Sequence, residues 1–272
     1  MDNEYIAKSK RGEPVNSTAS VARRILAADG NTVKLSLATL FCILMGMLVV
    51  ITSSWLLSII ASGALSAPLV LGVLSVLSFL ILAGGFIFLF LPCVSGVIMF
   101  ARHTVNGEKP TLGALLEPFL AKNKRKYINS ILLPIALMIR MAVIFLPLVL
   151  GVISLPLVND ADASFFAVAA SGVFLLCFLL AALAVGMYIS SYFFFVPYLM
   201  VEQNAGFFEA FFLSVRMARR RKREITLEML SAVPSVIVSV LTLMVLWVFY
   251  AAPKILVSYF VFCDRIADFD NE

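Results

Sequence analysis

Residues 35–61 read LSLATLFCILMGMLVVITSSWLLSIIA, without a charged side chain. A helix needs ~20 apolar residues to cross a ~30 Å hydrocarbon core, and this stretch exceeds that. Four more apolar stretches follow: Pro68–Ala101, Ile128–Val158, Phe165–Val201 and Leu227–Cys263. The 272 residues are 62% hydrophobic and 14% charged, with a mean hydropathy of +1.03; soluble domains carry about 25% charged residues. In lipid every backbone polar group must be satisfied internally, which leaves helices or closed barrels. The stretches lack the alternation of lipid-facing and lumen-facing residues that a barrel requires. The expected fold is therefore all-α, a polytopic helical membrane bundle with five clear membrane helices and short amphipathic cytoplasmic helices.

Several stretches are longer than one crossing. Gly186 and Pro197 weaken a helix interior and are the expected break points of the fourth. Pro253 and Lys254 divide the fifth into Leu227–Tyr250 and a shorter piece from Ile255 to Cys263. Two arrangements fit: one span followed by an interfacial helix, or a hairpin that supplies a sixth crossing.

Charge placement predicts orientation. Of 21 Lys and Arg residues, all but Arg140, Lys254 and Arg265 fall in three clusters. Lys8, Lys10, Arg11, Arg23, Arg24 and Lys34 precede the first stretch. Arg102, Lys109, Lys122, Lys124, Arg125 and Lys126 lie between the second and third. Arg216, Arg219, Arg220, Arg221, Lys222 and Arg223 lie between the fourth and fifth. The intervening loops near residues 62–67 and 159–164 have no Lys or Arg. The positive-inside rule then predicts a cytoplasmic N-terminus in a cell-membrane protein. The first 33 residues are mostly polar, so no cleavable signal peptide is expected. The expected division is a cytoplasmic segment 1–33 with an amphipathic helix, a single transmembrane domain 34–263 and a short acidic tail 264–272.

The cytoplasmic pieces carry their own pattern. Ser17 or Thr18 is suited to cap a helix through Ala28. Leu112, Leu115, Leu116, Phe119 and Leu120 recur at helical spacing, with Pro118 keeping that helix short. Phe207, Phe208, Phe211, Phe212 and Val215 form one face, as in helices lying in a membrane interface.

Candidate binding residues are few. Arg140 sits inside the third stretch, where a charge at the bilayer centre costs ~2.5–3.5 kcal/mol. It either snorkels to the inner surface, satisfies backbone carbonyls near Pro134 and Pro147, or binds a lipid phosphate or anionic substrate. Arg216, Arg219, Arg220, Arg221, Lys222 and Arg223 attract anionic headgroups at ~1 kcal/mol per charge. Tyr188, Tyr192 and Tyr198 suit an interfacial belt, and Asp160 and Asp162 suit a solvated loop. Glu209 and Ser214 suit capping or packing. The only histidine is His103, and Cys42, Cys93, Cys177 and Cys263 lie in or at the end of separate stretches. No metal site, catalytic triad or cofactor motif is expected from these spacings, nor is nucleic-acid binding. The cysteines suit apolar packing, and Gly84-Gly85 close helix contact.

The run YISSYFFFVPYLMVEQNAGFFEAFFLSVRMARRRKREITLEML, with VARRILAADGNTVKLSLATLF and VSGVIMFARHTVNGEKPTLGALLEPF, resembles a bacterial family of uncharacterised multi-pass membrane proteins. That family is similar to the membrane domain attached to some glycerophosphodiester phosphodiesterases, whose activity belongs to a separate catalytic domain. The resemblance covers Val21 to about Cys263 and implies six membrane helices, hence the hairpin form of the fifth stretch. The expected role is a non-enzymatic scaffold or accessory module, contacting anionic lipids or other membrane proteins through its basic loops. The alternative is a transporter or exporter of an anionic or amphipathic small molecule anchored by Arg140.

Overall fold

The computed structural model describes residues 16–62, 68–120, 124–154, 165–242 and 247–270. Every regular element among them is helical. The helices are α1 (Asn16–Ala27), α2 (Asn31–Ala61), α3 (Pro68–Gly85), α4 (Leu91–Val105), α5 (Glu117–Leu120), α6 (Lys124–Ser154), α7 (Phe165–Ser190), α8 (Val196–Glu202), α9 (Phe207–Arg220), α10 (Lys222–Leu241) and α11 (Ala252–Asp270). Among the described residues five helical segments are long and apolar enough to cross a membrane: Asn31–Ile60, Gly72–Val105, Lys124–Ile144, Leu183–Glu202 and Trp247–Ala267. The expected all-α membrane bundle is what the chain forms. Contacts group it into two compact units, one of Met1–Pro134 with Ala232–Glu272 and one of Ile135–Ser231.

In the first unit, α1 ends in a 3-10 turn at Ala28–Gly30, and Gly30 takes φ +68° to start α2. Only glycine enters that left-handed conformation without a Cβ clash. Asn31 Nδ2 and Thr32 Oγ1 donate back to the carbonyls of Ile25 and Leu26 at 3.0 and 2.8 Å, satisfying acceptors that the end of α1 leaves open. Ser17 and Thr18 lie inside α1 rather than at its cap, and Thr18 is buried.

Exposure changes along the long helices of this unit. Leu35, Ala38 and Cys42 of α2 are buried, whereas Met47, Ile51 and Trp55 are exposed. Val73, Phe79 and Leu80 of α3 are exposed. After a π turn at Phe86–Phe90, α4 is buried along most of its length. Uncharged apolar surface of this extent fits a lipid environment. Two close contacts hold α2 to this pair of helices: a Cβ on Gly46 would meet the Phe90 ring at 2.8 Å, and one on Gly85 would meet Val49 at 2.8 Å. Gly84 faces open space, so of the expected glycine pair only Gly85 serves close packing.

Among the described residues the fifth stretch forms α10, which ends at Leu241, and α11, which follows the π turn Trp247–Ala251; Pro253–Lys254 lies inside α11 and does not divide a helix. Pro253 sits in the first turn of α11, where its missing N–H interrupts little. Lys254 Nζ reaches Ser235 Oγ at 3.4 Å. α11 packs against α1, α4 and α2 and continues to Asp270. The segment expected as an acidic tail is thus largely helical, with Asp264 and Ile266 buried. The reason is a partner from a distant part of the chain: Arg102 Nη1 of α4 lies 2.8 and 2.7 Å from the two carboxylate oxygens of Asp264.

The connector after α4 is pinned to it at two points. At Gly96 the Leu115 carbonyl approaches so closely that a Cβ would sit 2.4 Å from its oxygen. Two turns on, His103 Nδ1 meets Glu108 and His103 Nε2 meets Glu117 Oε2 at 3.2 Å. Two carboxylates facing both ring nitrogens require two N–H donors, the pattern of an imidazolium. Deprotonation removes one donor, so this anchor is present at low pH and lost as pH rises through the imidazole titration. Hydrogen exchange of residues 106–117, corrected for intrinsic rate, is expected to be slower at pH 5.5 than at pH 8.5. His103→Gln is expected to abolish that difference; a difference that survives the substitution would remove His103 as its origin.

In the second unit, α7 is exposed through Val173, Phe178, Leu180 and Val185 and then becomes buried from Ser190 onward. The break in the fourth stretch falls at the 3-10 turn Ser191–Phe193, just before Pro197 in the first turn of α8. Gly186 does not break the helix. A Cβ there would lie 3.1 Å from the Val143 carbonyl oxygen and 3.2 Å from Ile144 Cα, so this glycine lets α7 approach the backbone of α6. Asp160 and Asp162 lie outside the described residues.

Candidate membrane-interface site

The second unit brings two of the candidate cations, Lys222 and Arg140, to the end of α7. Lys222 Nζ donates to the hydroxyls of Tyr188 and Tyr192 at 2.6 and 2.5 Å. The same ammonium lies 4.3 and 4.7 Å from the two ring centroids. The rings meet edge to face at 6.0 Å. Hydrogen bonds to Tyr188 first, then Tyr192, raise the Lys222 pKa above the ordinary lysine value. Favouring the protonated amine, they keep this cation charged throughout the neutral range.

Arg140, the residue with three readings in sequence, lies at the same end of α7. Its Nε donates to Ser190 Oγ at 3.2 Å and its guanidinium stands 4.8 Å from the centroid of Phe194. Ser190 is the last residue of α7, between Tyr188 and Tyr192 in sequence. The arginine thus meets α7 at the turn where Lys222 does. Tyr188 is exposed and Tyr192 half-buried, and both fall inside the apolar segment Leu183–Glu202 rather than at its ends, where a belt would stand. Tyr198 stands apart from them: α8 buries it together with Phe194 and Phe195.

α9 is built onto this turn by one serine and one phenylalanine. Ser214 Oγ donates to the Tyr192 carbonyl at 2.6 Å and accepts the Phe195 N–H at 3.1 Å. It thereby satisfies two backbone groups that the 3-10 break frees. Phe211 packs on Phe193 with centroids 4.9 Å apart. At the start of α9, Glu209 Oε2 accepts the Gly206 N–H at 3.3 Å. Asn204, at φ +49°, makes the turn that precedes it.

These contacts decide which face of α9 is inward. Ala210, Ser214 and Ala218, spaced by four, are buried. Phe208 and Phe212 are 74% and 70% exposed, and Arg216 and Arg219 are exposed. At 100° per residue these four fall within about 80° of arc. The expected single aromatic face is therefore divided: Phe207 and Phe211 are half-buried, while Phe208 and Phe212 belong to an outer stripe that ends in arginines. Arg220 and Arg223 are exposed beside it, and Arg221, between α9 and α10, reaches Glu224 at 3.4 Å.

The sequence did not mark the Arg102–Asp264 pair, since its members stand far apart along the chain. A charge inside an otherwise buried apolar helix end was the available signal. Cys42, Cys93 and Cys263 are buried and Cys177 is exposed. The class defined by these elements is a helical membrane protein. The chain matches no protein-family model, no curated protein and no solved structure.

Proposed function

We propose that this chain is a non-enzymatic module of the cell membrane that engages anionic phospholipid through α9 and the basic run Arg216–Arg223. Its N-terminus and basic segments face the cytoplasm in this reading, as the distribution of Lys and Arg supports. The observation that carries the proposal is the outer stripe of α9. Two exposed phenylalanines stand at one end of it, and two exposed arginines continue it at the other. A helix that dips its N-terminal end into an interface puts these aromatic side chains at the acyl boundary and the guanidinium groups at phosphate level. A transporter anchored by Arg140 gains less support, because that guanidinium is engaged by Ser190 and Phe194.

The test uses purified full-length protein in neutral detergent, titrated with fluorescent phosphatidylglycerol at low salt. At ~1 kcal/mol per charge, Arg216→Gln with Arg219→Gln is expected to weaken binding about 30-fold. Phosphatidylcholine binding is expected to stay unchanged, and added salt should reduce the difference. Equal phosphatidylglycerol affinity of both proteins would overturn the reading.

A further inference from the structure

We infer that a cleft at the end of α4 takes the headgroup of a phospholipid that carries a primary ammonium. The cleft belongs to the first unit, whereas the α9 stripe belongs to the second. Its volume is about 660 Å3, and α4, the connector, α5 and the first turn of α6 line it. That volume suits a small organic group rather than a single ion. His103 stands near the end of the membrane segment Gly72–Val105, and Met99, one turn further in on the same face of α4, lines the cleft with it. The walls therefore pass from charged to apolar in the direction of the membrane. Leu120, 73% exposed, adds apolar surface.

The charged end holds groups of both signs. Glu108 and Glu117 each give one carboxylate oxygen to His103. An ionised carboxylate has about four lone-pair positions, and neither side chain has another partner among the described residues. Both residues are exposed and line the cleft, so acceptors remain for a cation that carries N–H groups. Lys109 and Lys126 line the same cleft. The Lys126 side chain is exposed and has no partner among the described residues. A phosphate and a primary ammonium a few bonds apart satisfy both sets of groups at once. Phosphocholine offers the same phosphate but no N–H, so it donates nothing to the carboxylates. Phosphoglycerol brings the negative charge without the cation that two carboxylates call for. The apolar walls at Met99 and Leu120 fit an acyl chain, which favours a lipid over the same headgroup in solution.

The experiment measures binding of dioleoyl-phosphatidylethanolamine and dioleoyl-phosphatidylcholine to full-length protein in neutral detergent, by native mass spectrometry. Both lipids are neutral overall, so the arginines of α9 do not separate them. The wild type is expected to prefer the ethanolamine lipid about tenfold, the scale of one hydrogen bond to a charged group. Glu108→Gln with Glu117→Gln keeps the size of both side chains and is expected to remove that preference. Lys126→Gln breaks no contact among the described residues; it is expected to weaken both lipids about fivefold and leave their ratio unchanged. Arg216→Gln with Arg219→Gln is expected to leave the ratio unchanged as well. Equal binding of the two lipids by the wild type overturns the site, and so does a preference that survives the paired glutamine variant. The α9 proposal stands in either case. If the paired variant loses both lipids equally, the carboxylates hold the connector and do not read the ammonium. Wild-type affinity in Lys126→Gln removes the phosphate contact, and the site with it. Glycerophosphoethanolamine, the headgroup without acyl chains, is expected to compete only in large excess; competition at equal concentration overturns the assignment to a lipid.

Discussion

Asp264→Ala is expected to lower the stability of the first unit by about 3–5 kcal/mol, the cost of breaking a buried ion pair by removing one member. The Arg102 and Asp264 side chains are 10% and 5% exposed. Both carboxylate oxygens are within 2.8 Å of Arg102 Nη1, and the guanidinium stands 5.7 Å from the centroid of Phe260. Around them Phe100, Phe262, Cys263 and Ile266 are buried. Removal of the carboxylate takes two charge-assisted bonds from a buried arginine. Arg102→Leu with Asp264→Leu is expected to recover most of the loss, because an apolar pair needs no charge compensation. Chemical unfolding in detergent checks both. A loss below ~1 kcal/mol for Asp264→Ala would mean that the pair is solvated and contributes as a surface bridge does.

Gly96→Val is expected to destabilise the same unit by about 1–3 kcal/mol or more, as overpacking does. In an ordinary helix interior glycine is the poor choice, and replacement by alanine gains ~1 kcal/mol. Here the sign reverses, because a Cβ at Gly96 would sit 2.4 Å from the Leu115 oxygen and 3.0 Å from its carbonyl carbon. Both are backbone atoms, so relief requires the whole connector to shift away from α4. Gly84→Ala provides the comparison within the protein: nothing lies within 4 Å of its Cβ position, and a small gain in stability is expected there. Thermal unfolding of the two variants side by side measures the contrast. Equal behaviour would show that the connector does not rest on Gly96. The expected Gly96→Val result also includes faster proteolysis between residues 106 and 120, since the connector loses one of its two anchors.

The long helices were legible because hydrophobic length is a local property. Residues 35–61 have to become a membrane helix whatever surrounds them, and the same holds for most of 68–101 and 165–190. The breaks were harder. Pro197 correctly marked an interruption, but the chain yields at Ser191–Phe193, where Ser214 supplies the backbone groups with partners. Gly186 reads identically to a helix breaker, yet it serves the contact with α6. Pro253 reads as a divider, yet it opens α11. Periodicity placed Phe207, Phe208, Phe211 and Phe212 together; the division into inner and outer pairs depends on which side Ser214 and Phe193 hold.

By itself the sequence determined that the chain is an all-helical membrane protein, with basic residues gathered into alternate segments. Those properties follow from transfer free energies of residues taken in order along the chain, and they need no knowledge of neighbours. Tertiary structure alone decided that Asp264 is a buried partner of Arg102 and that Arg140 is bound to Ser190. It also decided that Lys222 stands between two tyrosines. Each of those facts is a short-range interaction, effective over a few ångströms, between residues separated by 162, 50 and about 30 positions. Folding brings such groups together, and composition and spacing carry no record of it.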